Sequence, residues 1–254
     1  MLMIISPSKT QQFNEQFRVA ASQPLLLKNS NLLIQELRKK SVADLQILMK
    51  MSERLALLTH QRVNDFKMPF TEKNARSAIT AFQGDVYSHI AINEYGDEDV
   101  EYIQNHLRIL SGLYGILRPL DLIQAYRLEM GCKLKNSRGK NLYEFWGDKI
   151  TDEVNRILDA HPEPILVYLA SNEYSRVIKK KNIKGSVLQV DFKERKGDTY
   201  RTVAIHAKRA RGMMVDFAVR NKVQRVIELK DFQQADYCFN PKLSGEKHYC
   251  FTRG

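Results

Sequence analysis

The chain has 254 residues, 43% hydrophobic and 27% charged, an ordinary globular balance that excludes a disordered or fibrous chain. No apolar run is long enough to span a bilayer. The three cysteines, Cys132, Cys238 and Cys250, are too scattered for a disulfide framework or a CxxC metal site, so a reducing, cytoplasmic setting is expected. Lys plus Arg number 40 and Asp plus Glu 29, a net +11 divided as +2 over residues 1–127 and +9 over 128–254. Such asymmetry points to an anionic partner, DNA or RNA; a merely basic surface is the competing explanation.

The opening MLMIISPSKT has no basic start and too short an apolar stretch for a signal peptide, and residues 2–5 read as a buried strand. From about 25 to 83 the pattern is helical. Leu32, Leu33 and Leu37 start it, Ser41 is a candidate N-cap with Asp44 at the third helical position, Ser52 caps a second segment, and Thr71 a third that ends near Gly84. Asp97 starts a helix with Val100, Ile103, Leu107 and Leu110 on one face. Its Asp97-Glu98-Asp99 cluster sits where acids offset the helix dipole, a plainer reading than a metal site. Residues 141–158 make one amphipathic helix that carries the lone tryptophan, Trp146, into the core. After Pro164 come a buried strand at 165–169 and two strands at 186–193 and 199–206 around Gly197-Asp198. A helix follows over about 207–222, then short strands near 237–240 and 247–251. The order predicts an α+β or mixed α/β fold without a recognised doubly wound order. No linker or repeat interrupts it, so residues 1–254 read as one domain, helix-rich over about 25–110 and basic over about 160–254.

Four segments carry candidate chemistry. Ser6, Ser8, Lys9 and Thr10 follow the first strand and can hold a phosphate or carboxylate, although the glycines of a P-loop are absent; Ser-Pro-Ser is also ordinary turn material. The segment 110–121 and the following 126–131 supply Arg118, Arg127 and Glu129; the arginines can fork onto an anion, and Arg118 can equally pair with Asp121. Ser171, Glu173 and Tyr174 sit where a strand meets a helix, a common ligand position in α/β proteins; the plainer reading makes Ser171 an N-cap. Lys208, Arg209 and Arg211 open the helix at 207, where three cations oppose the dipole and a bound anion would relieve them. The lysine runs around 133–140 and 179–184 read as solvated loops. Asp191-x-Lys193 and Glu194-x-Lys196 match the acid-x-Lys step of metal-dependent nucleases, but no partner acid is identifiable and charged strand ends match it often.

Taken together these segments resemble the YaaA family of bacterial peroxide-stress proteins. The matching stretches are ISPSKT at 5–10, MSERLA at 51–56, FQGDVY at 82–87, LSGLYGILRPLD at 110–121, YRLEMG at 126–131, LYEFWGD at 142–148, LASNEY at 169–174 and AKRARGMM at 207–214. The resemblance implies a family-specific fold with a central mixed sheet flanked by helices, a positively charged cleft, and a helix-hairpin-helix element that binds DNA. It also implies a part in limiting peroxide damage by keeping unincorporated iron low. The hairpin falls at Asp44–Phe66, where Met51 and Glu53 stand in place of the usual glycines, and Ala235-Asp236 precedes Tyr237 where the family has glycine before the tyrosine.

The leading expectation is a non-catalytic protein that binds double-stranded or branched DNA through Lys9, Lys50, Arg54, Arg118, Arg127, Lys208, Arg209 and Arg211, with no cofactor and no metal. The alternative is an enzyme on a small anionic metabolite or nucleotide, held in a pocket of Ser6, Ser8, Thr10, Glu129, Ser171, Glu173 and Tyr174.

Overall fold

A computed structural model describes residues 1–14, 17 and 19–254. In chain order the elements are β1 (Leu2–Ile5), α1 (Leu27–Arg38), α2 (Val42–Met49), α3 (Glu53–Asp65), β2 (Arg76–Ser77), α4 (Ala78–Ala81), α5 (Asp97–His106), β3 (Leu107–Ser111), β4 (Gly115–Leu117), β5 (Leu122–Ile123), α6 (Leu142–Trp146), α7 (Lys149–Leu158), β6 (Ile165–Tyr168), α8 (Asn172–Ser175), β7 (Ser186–Lys196), β8 (Thr199–Arg201), α9 (Ala204–Arg220), β9 (Cys238–Phe239) and β10 (His248–Arg253).

The result is mixed α/β, with a central, mostly parallel sheet in the order β4-β3-β1-β6-β7-β10-β9, and β8 pairing on β7. β1 lies between two parallel neighbours, Met3 opposite Leu107 on one side and Val167 on the other, so its side chains are buried on both faces. That is why a strand of unbroken apolar residues belongs there. β7 and β10 continue the parallel run, while β4 and β9 close the edges antiparallel. Counting only β1, β3, β6, β7 and β10, the parallel strands lie in the order 2-1-3-4-5. This is one of the two common doubly wound orders, an order that the sequence pattern alone does not reveal. Its direction of winding reverses between β1 and β6.

Local signals held where local bonds decide. Ser41 Oγ accepts the Asp44 N–H and Asp44 Oδ2 accepts the Ser41 N–H, a complete capping box at the start of α2. Trp146 is fully buried and donates its Nε1–H to the Gly112 carbonyl. Asp99, in the first turn of α5, accepts the Gly96 N–H and pairs with Lys222.

Four boundaries differ from expectation. The helix at 97 stops at His106, because Leu107–Ser111 pairs with β1 and becomes β3. The segment after Thr71 is a turn followed by β2 and one helical turn: the Ala78 and Ile79 N–H groups donate to the Asp121 and Pro119 carbonyls of a distant segment. The helix at 141–158 is two helices, broken at Gly147, whose φ of 53° is open to glycine. The strand at 199 ends at Arg201, and α9 begins at Ala204, so Lys208, Arg209 and Arg211 lie beyond its first turn. The opposition to the helix dipole therefore does not apply to them, since that field fades within a turn.

Among the described residues no helix is long and apolar enough to cross a membrane. All three cysteines are free thiols.

Candidate functional site

The reversal between β1 and β6 places the loops after both strands side by side. Ser6 follows β1 and Ser171 follows β6; Ser6 Oγ accepts the Ser171 N–H at 2.9 Å and lies 3.2 Å from Ser171 Oγ. Ser171 stands at the N-cap position of α8 but its hydroxyl makes no capping bond. Open α/β sheets place ligands at this crevice, outside the carboxyl ends of strands where the order reverses.

A hollow of about 360 Å³ occupies that place. Four segments line it: Ser6 to Thr10 after β1, Gln83 to Tyr87, the 169–174 segment after β6, and Lys208 with Arg211 from α9. Lys208 and Arg211 share a wall because they are one helical turn apart. Gly212 lets α9 come this close: a Cβ there would sit 2.0 Å from the Val86 carbonyl oxygen. Tyr87 donates its hydroxyl to the Ser6 carbonyl and ties the Gln83–Tyr87 segment to β1.

Two of the hollows that share walls with the first hold further sequence candidates. A small one is bounded by Ser8, Lys9, Arg127, Glu129 and Tyr174. A larger one, about 430 Å³, lies between the end of α2 and the 129–133 segment, lined by Ile47, Lys50, Glu129, Gly131, Lys133 and Glu173 among others. The sequence candidates thus fall into three groups. Ser6, Ser8, Lys9, Thr10, Ser171, Glu173, Tyr174, Lys208 and Arg211 line the first hollow; Arg127 and Glu129 line the second; Lys50 lines the third. Arg209 is exposed and pairs with Asp85, 3.3 Å away. Arg54 is exposed on α3 and lines none of these hollows. Arg118 also stands apart: its Nε donates to the fully buried Asp121 at 3.0 Å and its Nη2 to the Gln23 carbonyl, so the local pairing is the one realised.

The carboxylates of the site are all engaged. Glu129 Oε1 receives Lys9 Nζ at 3.0 Å and Arg127 Nη2 at 3.1 Å. Glu173 accepts the Gly131 N–H at 2.9 Å. Two cations are left over. Lys208 has no ion-pair or hydrogen-bond partner among the described residues, and Arg211 Nε is shut off from solvent with no acceptor. Burial lowers the Arg211 pKa, opposed in part by Asp191. Asp191 itself is bonded to His248 Nε2 at 2.9 Å. Burial, with the phenol of Tyr126 and the carboxylates of Glu173 and Glu129, raises the Tyr174 hydroxyl above its ordinary value, so it stays protonated at neutral pH.

Gln83, Gly84 and Asp85 were not among the sequence candidates, although they lie in the FQGDVY stretch. Gly84, at a φ of 99° and with Ser8 Oγ 3.4 Å from where its Cβ would be, was the available signal. Lys133, read as a solvated loop residue, lines the third hollow. Among the described residues no group of three or more His, Cys, Asp or Glu side chains is placed to hold a metal ion. Asp191 and Glu194 alternate along β7 with their lysines, but Glu194 is taken up by Arg253, Tyr237 and His206.

The sequence profile of the family described as peroxide stress protein YaaA matches residues 1–243. A UPF0246 protein of Acaryochloris marina is 48% identical over 253 residues, covering the whole of both chains. UPF0246 proteins of Colwellia psychrerythraea and Cellvibrio japonicus are each 45% identical over 254 residues, covering all of this chain and 99% and 98% of theirs.

Proposed function

Because the chain belongs to the YaaA family of peroxide stress proteins, we propose that it serves the peroxide response by binding DNA, with little sequence preference, along the three adjoining hollows. One observation carries this reading. Lys50, Lys133, Lys208 and Arg211 line those hollows, and none has an acidic partner within ion-pair distance among the described residues. Cations held without partners along one path suit a phosphate backbone, which attracts by charge and carries no sequence information.

The α2–α3 hairpin flanks the path. Ser52 occupies the N-cap position of the 13-residue α3 without a side-chain capping bond, so the first N–H groups of that helix are open to an outside acceptor. The left-handed residue that turns the chain is Lys50, at φ 49° and ψ 55°, one position before Met51. This puts a cation, with the exposed Ile47 beside it, at the tip of the hairpin. In this reading any lowering of free iron follows indirectly from DNA binding.

The test is fluorescence anisotropy with a labelled duplex and a labelled four-way junction across a salt series. Lys50 and Lys208 are exposed, so Lys50→Glu and Lys208→Glu leave the core untouched. Affinity is expected to fall linearly on a log–log plot against salt, and each reversal to weaken binding and reduce the slope by about one ion. Affinity that stays flat with salt, or that ignores both reversals, rules the reading out. Peroxide-treated cells carrying the double variant are expected to show undiminished free iron; iron lowered as by the unaltered protein separates the iron effect from DNA.

A further inference from the structure

The hollow beside Ser6 and Ser171 has features that a backbone-tracking surface does not require. Its volume, about 360 Å³, lies at the small-ligand end of the range for enclosed sites, roughly 300–1,000 Å³. It stands at the reversal point of the sheet, beside the small hollow that holds Arg127 and Glu129.

The charges around it do not cancel. Four carboxylates are near. Asp85 pairs with Arg209, Glu129 with Lys9 and Arg127, Asp191 with His248, and Glu173 accepts the Gly131 N–H. Lys208 and Arg211 are two positive charges one turn apart on one wall, neither with a carboxylate at ion-pair distance among the described residues. The guanidinium of Arg211 cannot shed its charge, yet its Nε is buried without an acceptor. A buried N–H of a cation with no acceptor is costly unless something supplies one. The hydroxyls of Ser8 and Thr10 line the opposite loop, where Ser8 Oγ already orders the turn by accepting the Thr10 N–H at 3.1 Å.

We propose that this pocket binds a phosphate monoester, with Arg211 and Lys208 as the clamp and the Ser8 and Thr10 hydroxyls as further donors. A monoester carries about −1.5 to −2 at neutral pH, which suits two adjacent unpaired cations, and three terminal oxygens for a forked guanidinium and an ammonium. A phosphodiester inside a duplex carries a single charge and is flanked on both sides by sugars, a poorer match to a small pocket. The monoester belongs either to a free nucleotide or to the 5′-phosphate end of a DNA strand lying along the neighbouring hollows. Only the second source rests on the DNA reading above.

The experiment is calorimetric titration of the full chain with inorganic phosphate, AMP and adenosine, and with one oligonucleotide made with and without a 5′-phosphate. AMP is expected to bind and adenosine not to. Lys208→Gln is expected to weaken AMP by about tenfold or more, and Arg211→Met to abolish binding. Chemical denaturation of Arg211→Met without ligand is expected to show stability unchanged or raised, because the variant removes a buried N–H that has no acceptor; a strongly destabilised variant would mean that Arg211 already has a structural partner, and would overturn the assignment. Preference for the 5′-phosphorylated oligonucleotide, competed by AMP, identifies the strand end as the source. AMP binding with no difference between the oligonucleotides identifies a free nucleotide and leaves both readings standing; AMP binding with no DNA binding at all leaves the pocket standing while the DNA reading falls. A folded protein that binds neither phosphate nor AMP, or that binds AMP equally well in both variants, refutes the proposal.

Discussion

His161 shows how one side chain sets a pH dependence that the composition does not reveal. It packs against His106, which stacks on Tyr102 at 4.1 Å between ring centroids and contacts the Met1 carbonyl through Nδ1 at 2.9 Å. Burial, with nearby positive charge, lowers His161 to about 4 and lowers His106 as well. A histidine whose folded pKa is depressed binds its proton more readily in the unfolded chain. Its contribution is therefore complete above the ordinary value near 6.5 and is lost as pH falls toward 4. The carboxylates with lowered values, such as Asp44, Asp99 and Asp148, start from 3.8 and lose their contribution only at lower pH; the Met1 amine, lowered by burial, and Asp121, raised by burial, also shift with pH, so the comparison with a His161 variant is what assigns this histidine's share. Urea midpoints measured from about pH 6.5 to about 4.5 should fall in the unaltered chain and fall less in His161→Asn. Parallel decline in both would assign the effect elsewhere. The same scale shows what the sequence withheld. Arg118 looks like an anion ligand until Asp121, three residues on and fully buried, is seen to hold it. Arg211 looks like one cation among three until its neighbours' partners are counted.

At the scale of elements, the hairpin between α2 and α3 sets fold stability against use. Lys50 holds a left-handed backbone that costs a residue with a Cβ about 1–2 kcal/mol. Lys50→Gly is expected to raise unfolding stability by roughly 1 kcal/mol while weakening DNA binding, since the cation at the hairpin tip goes with the strain. Loss of stability, or unchanged affinity, would mean that Lys50 is kept for neither reason. Ala235 and Asp236 are a second such place. Their φ values of 49° and 63° form the turn closed by the Tyr237 N–H on the Gln234 carbonyl, and both central residues of a type I′ turn need φ above zero. That accounts for the glycine the resemblance led one to expect before Tyr237. Elements whose ends are fixed by neighbours in sequence were legible: the Ser41–Asp44 cap, the acidic start of α5, and the apolar β1. Those fixed by distant partners were not. Leu107 continues the helical spacing of Val100 and Ile103, and only pairing with Met3 turns it into a strand. Gly147 interrupts α6 and α7 with a positive φ that an amphipathic pattern does not register.

For the whole molecule, the uneven charge of the sequence becomes informative once the fold sorts it. Lys179 pairs with Asp148, Lys184 with Asp159, and Arg220 with Glu94 and Asp216, so much of the basic second half is balanced locally. Among the cations without an ion pair, Lys50, Lys133, Lys208 and Arg211 come together along the hollows, brought there by α2, the 129–133 segment and α9, while others such as Lys193, Lys196 and Lys242 stay outside them. No segment of sequence contains that path; the sheet order assembles it by bringing the ends of β1 and β6 together. The pocket residues at 6–10 and 171–174 were therefore recognisable by type but not as one site. The measurement that bears most directly on this account is hydrogen–deuterium exchange of the full chain with and without duplex DNA. The account predicts slowed exchange over residues 47–55, 129–134 and 207–211, and no change over 237–253, where β9 and β10 lie on the far side of the sheet order from β1. Protection confined to 237–253 or to the lysine run at 179–184, or no protection while DNA is bound, would contradict it.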